Sequence, residues 1–180
     1  EYTRAVAQAM ETDAFIGGLR ERLEADGHAE DTVLMLFTDH YCKYFSDAEF
    51  ISAIKGETDR NMLSNVPFVI WAEGIAPQVY DKYVSTMDIA PTVVDLFSMD
   101  ADLRYYIGND MFGPDGGVVY FRNYAWYDGK TYDTGNDASS NPAVLAMREQ
   151  AREQLDVSQD TFRYDYFACL QRRGILNPDE

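Results

Sequence analysis

The sequence predicts an α/β fold: a mostly parallel sheet flanked by helices, followed by a C-terminal antiparallel hairpin and terminal helices. Three observations carry this expectation. Apolar residues recur at three- and four-residue steps over 2–25; two short runs, at 32–39 and 66–72, are apolar almost without alternation; and beyond Gly108 the texture becomes rich in Tyr, Val and Phe. A period near 3.6 marks one face of a helix, whereas a short unbroken apolar run suits a strand covered on both sides.

The elements follow in order. Residues 2–25 place Tyr2, Val6, Ala9, Met10, Ile16, Leu19 and Leu23 on one stripe, which predicts an amphipathic helix ending near Gly27. The run TVLMLFTD (32–39) then reads as a buried strand, and helix, short turn and strand in that order form one unit of an α/β fold. A charged stretch with a short helix candidate at 47–54 leads to a second strand, VPFVIWA at 66–72, where Pro67 near the start removes the least important donor. STMDIAPTVVDLF (85–97) reads as a helix capped by Asp88, with Pro91 in its first turn and Ile89, Val93, Leu96 and Phe97 on one face. In the later region Asp128-Gly129 is a strong hairpin signal, predicting 118–126 paired with 130–133. Pro142 opens a polar helix expected to run through Leu155, and 161–173 reads as another. The expected organisation is an α/β core part at 1–112 and a hairpin with terminal helices at 113–180.

The bulk properties narrow the function. The chain has 180 residues, 46% of them apolar, enough for one domain with a sizeable core. Its 31 acidic residues against 15 basic give a formal charge of -16, a field that repels phosphate backbones and excludes nucleic acid as a partner. An anionic substrate would need a bound cation or a local basic cluster to reverse that field. Two cysteines, Cys42 and Cys169, make neither a disulfide scaffold nor a Cys-x-x-Cys zinc knuckle, and whether they are bridged is left open. No apolar run approaches the ~20 residues of a membrane-spanning helix. Glu1 already sits in a helical pattern with no initiating methionine or signal peptide, as expected of a chain cut from something longer.

Chemistry is expected at Asp39-His40, at the carboxyl end of the first strand. There the chain leaves the sheet, so side chains can face a crevice while their backbone stays rigid. A carboxylate oxygen beside an imidazole nitrogen suits a divalent cation such as Mn²⁺ or Zn²⁺. As a bare dipeptide the signal is unspecific, because a turn carboxylate and a hydrogen-bonded histidine use the same residues.

Its surroundings add meaning. DAFIGGLRERL (13–23), DTVLMLFTDHY (31–41), VPFVIWAEG (66–74) and STMDIAPTVVDLF (85–97) together resemble the alkaline phosphatase superfamily of phosphate and sulfate ester enzymes. The later NDMFG, VVYFRN and YDGKTYD resemble more narrowly its lipoteichoic acid synthase branch, so that the resemblance runs from Tyr2 to about Leu170. It implies a partial alkaline phosphatase-like fold, in which this chain is the C-terminal portion of a sulfatase-like catalytic domain. It also implies that Asp39 and His40 are metal ligands, with manganese the first choice and Mg²⁺ or Zn²⁺ as alternatives. The other ligands and the threonine nucleophile are expected upstream, in a missing N-terminal half of the same domain, leaving no catalytic nucleophile here and an inactive fragment. The implied chemistry is covalent transfer of phosphoglycerol from a phosphoglycerol-bearing lipid, through the threonine, to a polymer acceptor. The full-length protein would then sit in the cell membrane with its catalytic domain outside.

Four further residues carry readings of their own. Lys43 can pair with a substrate phosphate, although a lysine there is ordinarily solvated, and with Tyr41 and Cys42 it replaces the glycine many relatives carry after Asp-His. Arg122 can clamp a phosphate through its planar fork, but an arginine in a tyrosine-rich hairpin more often stacks or pairs structurally. Asp13 falls on the apolar stripe and is expected to bond nearby backbone behind the site, while His28 is expected to be exposed and inert. The competing functions are a sulfatase or phosphoethanolamine transferase, and, in another class, a non-catalytic module binding cell-wall polymer or protein through the acidic, aromatic hairpin after Gly116.

Overall fold

The structure is a computed structural model and describes residues 2–40, 48–114, 117–136 and 138–176. The chain divides into two compact units, Glu1–Val79 and Tyr80–Glu180.

The first unit contains α1 (Tyr2–Ala25), β1 (Val33–Leu36), α2 (Ala48–Lys55), a 3-10 turn at Met62–Ser64 and β2 (Val69–Ala72). Helix α1 ends where expected. The Gly27 N–H donates to the Glu24 carbonyl at 3.2 Å and the His28 N–H to the Leu23 carbonyl at 2.8 Å, the double closure that terminates helices at glycine. His28 is exposed, as read. Yet α1 carries no buried residue, and Tyr2, Met10 and Phe15 are more than half exposed. Its contacts are local: the Tyr2 ring meets Phe50 edge-on at 5.9 Å, and the Arg20 guanidinium lies 4.8 Å over the Trp71 ring.

Both strands form, but among the described residues they do not pair in the expected mostly parallel sheet. Strands β1 and β2 pair antiparallel, from Val33 opposite Ala72 to Leu36 opposite Val69. An unbroken apolar run reports that both faces of a strand avoid water and says nothing of its direction; mixed sheets routinely carry antiparallel neighbours. In this two-stranded ladder all four β1 residues are only half-buried.

The second unit opens with a 3-10 turn, Thr86–Asp88, running into α3 (Ile89–Leu96), and a further 3-10 turn at Leu103–Tyr105. It continues with β3 (Val119–Tyr120), β4 (Trp126–Tyr127), β5 (Tyr132–Asp133), α4 (Pro142–Arg163) and α5 (Tyr166–Arg172). The three strands make an antiparallel meander in the order β3-β4-β5, where a single hairpin was expected. The turn at Asp128-Gly129 is the one read from sequence: the Asp128 carboxylate accepts from the Lys130 and Thr131 N–H groups at 2.9 and 2.6 Å, and Gly129 adopts φ +87. The long strand predicted at 118–126 is broken by a second turn. The Tyr124 N–H donates to the Phe121 carbonyl and the Phe121 N–H to the Ala125 carbonyl, both at 2.8 Å. Tyr124 takes the left-handed region at φ 64, uncommon for an aromatic residue, and non-local contacts hold it there. Its hydroxyl bonds Asp156 at 2.9 Å and the Arg152 guanidinium lies 5.7 Å over its ring.

Helix α4 starts at Pro142 behind an Asn141 cap, whose side chain accepts from the Ala143 N–H at 3.0 Å. It runs to Arg163, past the expected end at Leu155, because no Gly or Pro follows Leu155 to stop it; the break comes at Asp165, in the left-handed region at φ 48. The core lies between the meander and α4. Ala125, Trp126 and Ala151 are buried, and Asp133 meets Arg148 through two hydrogen bonds of 2.7 Å. Those bonds outweigh burial and hold the Asp133 carboxyl below the usual carboxylate range.

Candidate metal site at the end of the first strand

Strand β1 ends at Leu36, and three residues later Asp39 and His40 follow beyond the ladder. The Asp39 Oδ2 atom lies 3.4 Å from His40 Nε2, with the two side chains 84% and 40% exposed. Neither is turned into an apolar pocket. An anionic oxygen and an imidazole nitrogen at one solvent-facing corner fit a divalent cation as two of the roughly four ligands a stable site needs. Among the described residues no three His, Cys, Asp or Glu side chains converge to complete such a site.

Lys43, with Tyr41 and Cys42, lies outside the described residues. Arg122 is exposed on the turn between β3 and β4, in the second unit. Asp13, expected behind the site, is exposed on α1.

The Asp-Ile-Ala-Pro-Thr segment has a different role from the one its pattern suggested. The cap is Ser85, whose hydroxyl accepts from the Met87 N–H at 3.3 Å, while the Asp88 carboxylate accepts from the Ser85 N–H at 2.7 Å. The other Asp88 oxygen accepts from the Asn109 N–H at 2.8 Å. Thr92 donates to the Asp88 carbonyl at 2.6 Å and accepts from the Met111 N–H at 2.8 Å. Both side chains are buried, so this pair staples the 109–111 segment to α3. Gly108 is required beside it, because a Cβ there would overlap the Met87 carbonyl. The buried face of α3 is therefore Pro91, Thr92 and Val94, and Leu96 and Phe97, expected inside, are about half exposed. Apolar periodicity could not find this face, because its central member is a threonine. The available signal was an aspartate and a threonine four residues apart on a helix.

The profile of the sulfatase family matches residues 1–99, more than half of the chain and including Asp39, His40 and α3. The chain belongs to the sulfatase family. Among its relatives this sulfatase-family chain is 23% identical over 175 residues to lipoteichoic acid synthase 2 of Bacillus subtilis strain 168, a match covering 88% of the chain and 27% of that protein. It is 26% identical over 172 residues to lipoteichoic acid synthase of Staphylococcus saprophyticus, covering 87% of the chain and 26% of that protein. The same identity holds over 175 residues with lipoteichoic acid synthase of Staphylococcus aureus strain USA300, again covering 87% and 26%. The sulfatase-family chain thus spans about a quarter of the length of these relatives, and a match covering 87–88% of its 180 residues extends beyond the 1–99 of the family profile.

Proposed function

We propose that this chain is part of the catalytic domain of a metal-dependent phosphoglycerol transferase of the lipoteichoic acid synthase type, anchored in the cell membrane and working on its outer side. The observation that carries the reading is the adjacency of Asp39 and His40 at an exposed strand end, inside the stretch matched by the family. The similarity to lipoteichoic acid synthases through the second unit supports the transferase over a sulfatase. In this reading the threonine nucleophile and the remaining ligands come from outside these 180 residues, so the chain alone is inactive.

The chain's own contribution is positional. Asp39 offers a carboxylate oxygen and His40 an imidazole nitrogen, and neither moves a proton in the reaction. A divalent cation held there, manganese by first choice, supplies Lewis-acid neutralisation of phosphoryl charge. That also answers how a chain of charge -16 handles an anionic substrate. Lys43 and Arg122 are the side chains this reading assigns to substrate phosphate.

The test is transfer of glycerol phosphate from phosphatidylglycerol to a polymer acceptor by the full-length enzyme to which the reading assigns this chain. Asp39→Ala and His40→Ala should each lower turnover by roughly 10³-fold while leaving the melting temperature unchanged. Full turnover in both variants would refute the assignment, and release of sulfate from an aryl sulfate in place of transfer would make the protein a sulfatase.

A further inference from the structure

The second unit opens with a stretch, 80–84, that has no regular structure and leads into the Ser85 cap before α3. No backbone–backbone hydrogen bond ties residues 76–84 to another described residue. Side chains hold the stretch instead. The Tyr80 ring meets Phe112 edge-on at 5.1 Å, and the Lys82 Nζ atom donates to the Gly113 carbonyl at 2.8 Å. The Tyr83 ring meets Tyr127 of β4 edge-on at 4.6 Å and lies against the Asp128-Gly129 turn, where a Cβ on Gly129 would come within 3.1 Å of it.

These three clasps are weaker than what lies beneath them. Tyr80, Tyr83 and Phe112 are all exposed, so the two ring pairs keep water on one side and contribute far less than the burial of Trp126. Segments held by exposed contacts and lacking backbone hydrogen bonds open locally, well before a fold melts as a whole. The structure beneath has its own supports. The meander keeps its ladder, with Val119 opposite Tyr127 and Trp126 opposite Asp133, and two bonds of 2.7 Å join Asp133 to Arg148 of α4.

We infer that 80–84 is a releasable strap, closed by Tyr80, Lys82 and Tyr83, that lifts from the second unit while the meander and α4 remain folded. Release changes how much chain connects β2 to the rest of the second unit. With the strap closed, the unit is fastened from Tyr80 onward; with it lifted, from the Ser85 cap. The connection then gains 80–84, up to about 17 Å of extended chain. Gly129 is the seat of the latch, since a side chain there would crowd the Tyr83 ring.

The experiment is limited trypsin digestion of the full-length protein at increasing urea, with fragment masses identifying cleavage after Lys82. That cleavage needs only the strap to lift, so it should proceed without urea and at a rate nearly independent of it. Cleavage within α4, after Arg148 or Arg152, should instead rise steeply as the unit unfolds, because far more surface is exposed. Tyr83→Ala should speed cleavage after Lys82 by roughly tenfold, still without urea dependence and with the circular dichroism of the folded protein unchanged. Tyr80→Ala loosens a separate clasp, should act in the same direction, and serves if Tyr83→Ala fails to fold. Cleavage after Lys82 that appears only together with cleavage within α4 would make the strap part of the cooperative fold and overturn the inference. An equal rate in the wild type and both variants would overturn it too, because the clasps would then hold nothing.

Discussion

Asp88 and Asp133 of the second unit and Asp39 of the first are held in opposite ways. In Tyr80–Glu180 the acids that leave solvent are engaged: Asp133 is clamped by Arg148, and Asp88 accepts from Ser85 and Asn109. In Glu1–Val79, Asp39 stands in solvent beside His40, at the end of a strand that is itself only half-buried. A buried, bonded carboxylate stabilises the fold, and its removal is read in melting. An exposed carboxylate paired with an imidazole contributes little to folding, and its removal is read in function.

The contrast can be broken most easily where packing is densest. Trp126, 2% exposed against α4, should cost about 3–5 kcal/mol on replacement by alanine, seen as a large drop in the urea midpoint of the second unit. A loss under 1 kcal/mol would mean that the core is elsewhere. Arg148→Met leaves the buried Asp133 carboxylate without its partner and should cost roughly 2–3 kcal/mol at pH 7.

That pair also fixes a pH dependence. The folded pKa of Asp133 is lowered, so its contribution is complete above the unfolded value near 4 and is lost as pH falls from there through the lower folded value. Melting curves across that range should show the wild type losing stability with acid and Arg148→Met losing much less. Thr92→Val should cost about 1–3 kcal/mol, because the buried Met111 N–H loses its acceptor. Smallest of all, Asp39→Ala should move stability by no more than ~0.5 kcal/mol, and a larger change would place that carboxylate in the fold's own architecture.

How much of this was visible in the sequence depended on how local the cause was. Helix α1, both apolar strands and the Asp128-Gly129 turn rest on residues a few positions apart, and all were legible. The direction of β2 was not, since apolarity carries no sign along the chain. The turn at Tyr124 depends on Asp156 and Arg152 from α4, and the staple of α3 on Asn109 and Met111; tertiary contacts of that kind leave no local trace. The proximity of the Asp39 and His40 side chains was legible because the two are sequence neighbours. Further ligands supplied by distant segments would leave no mark on this stretch.

Calorimetric titration of manganese into the proposed full-length transferase, wild type against Asp39→Ala and His40→Ala, tests directly whether these two side chains hold a metal. One tight site is expected in the wild type, lost in both variants with the melting temperature in EDTA unchanged. Equal manganese affinity in all three proteins would contradict it.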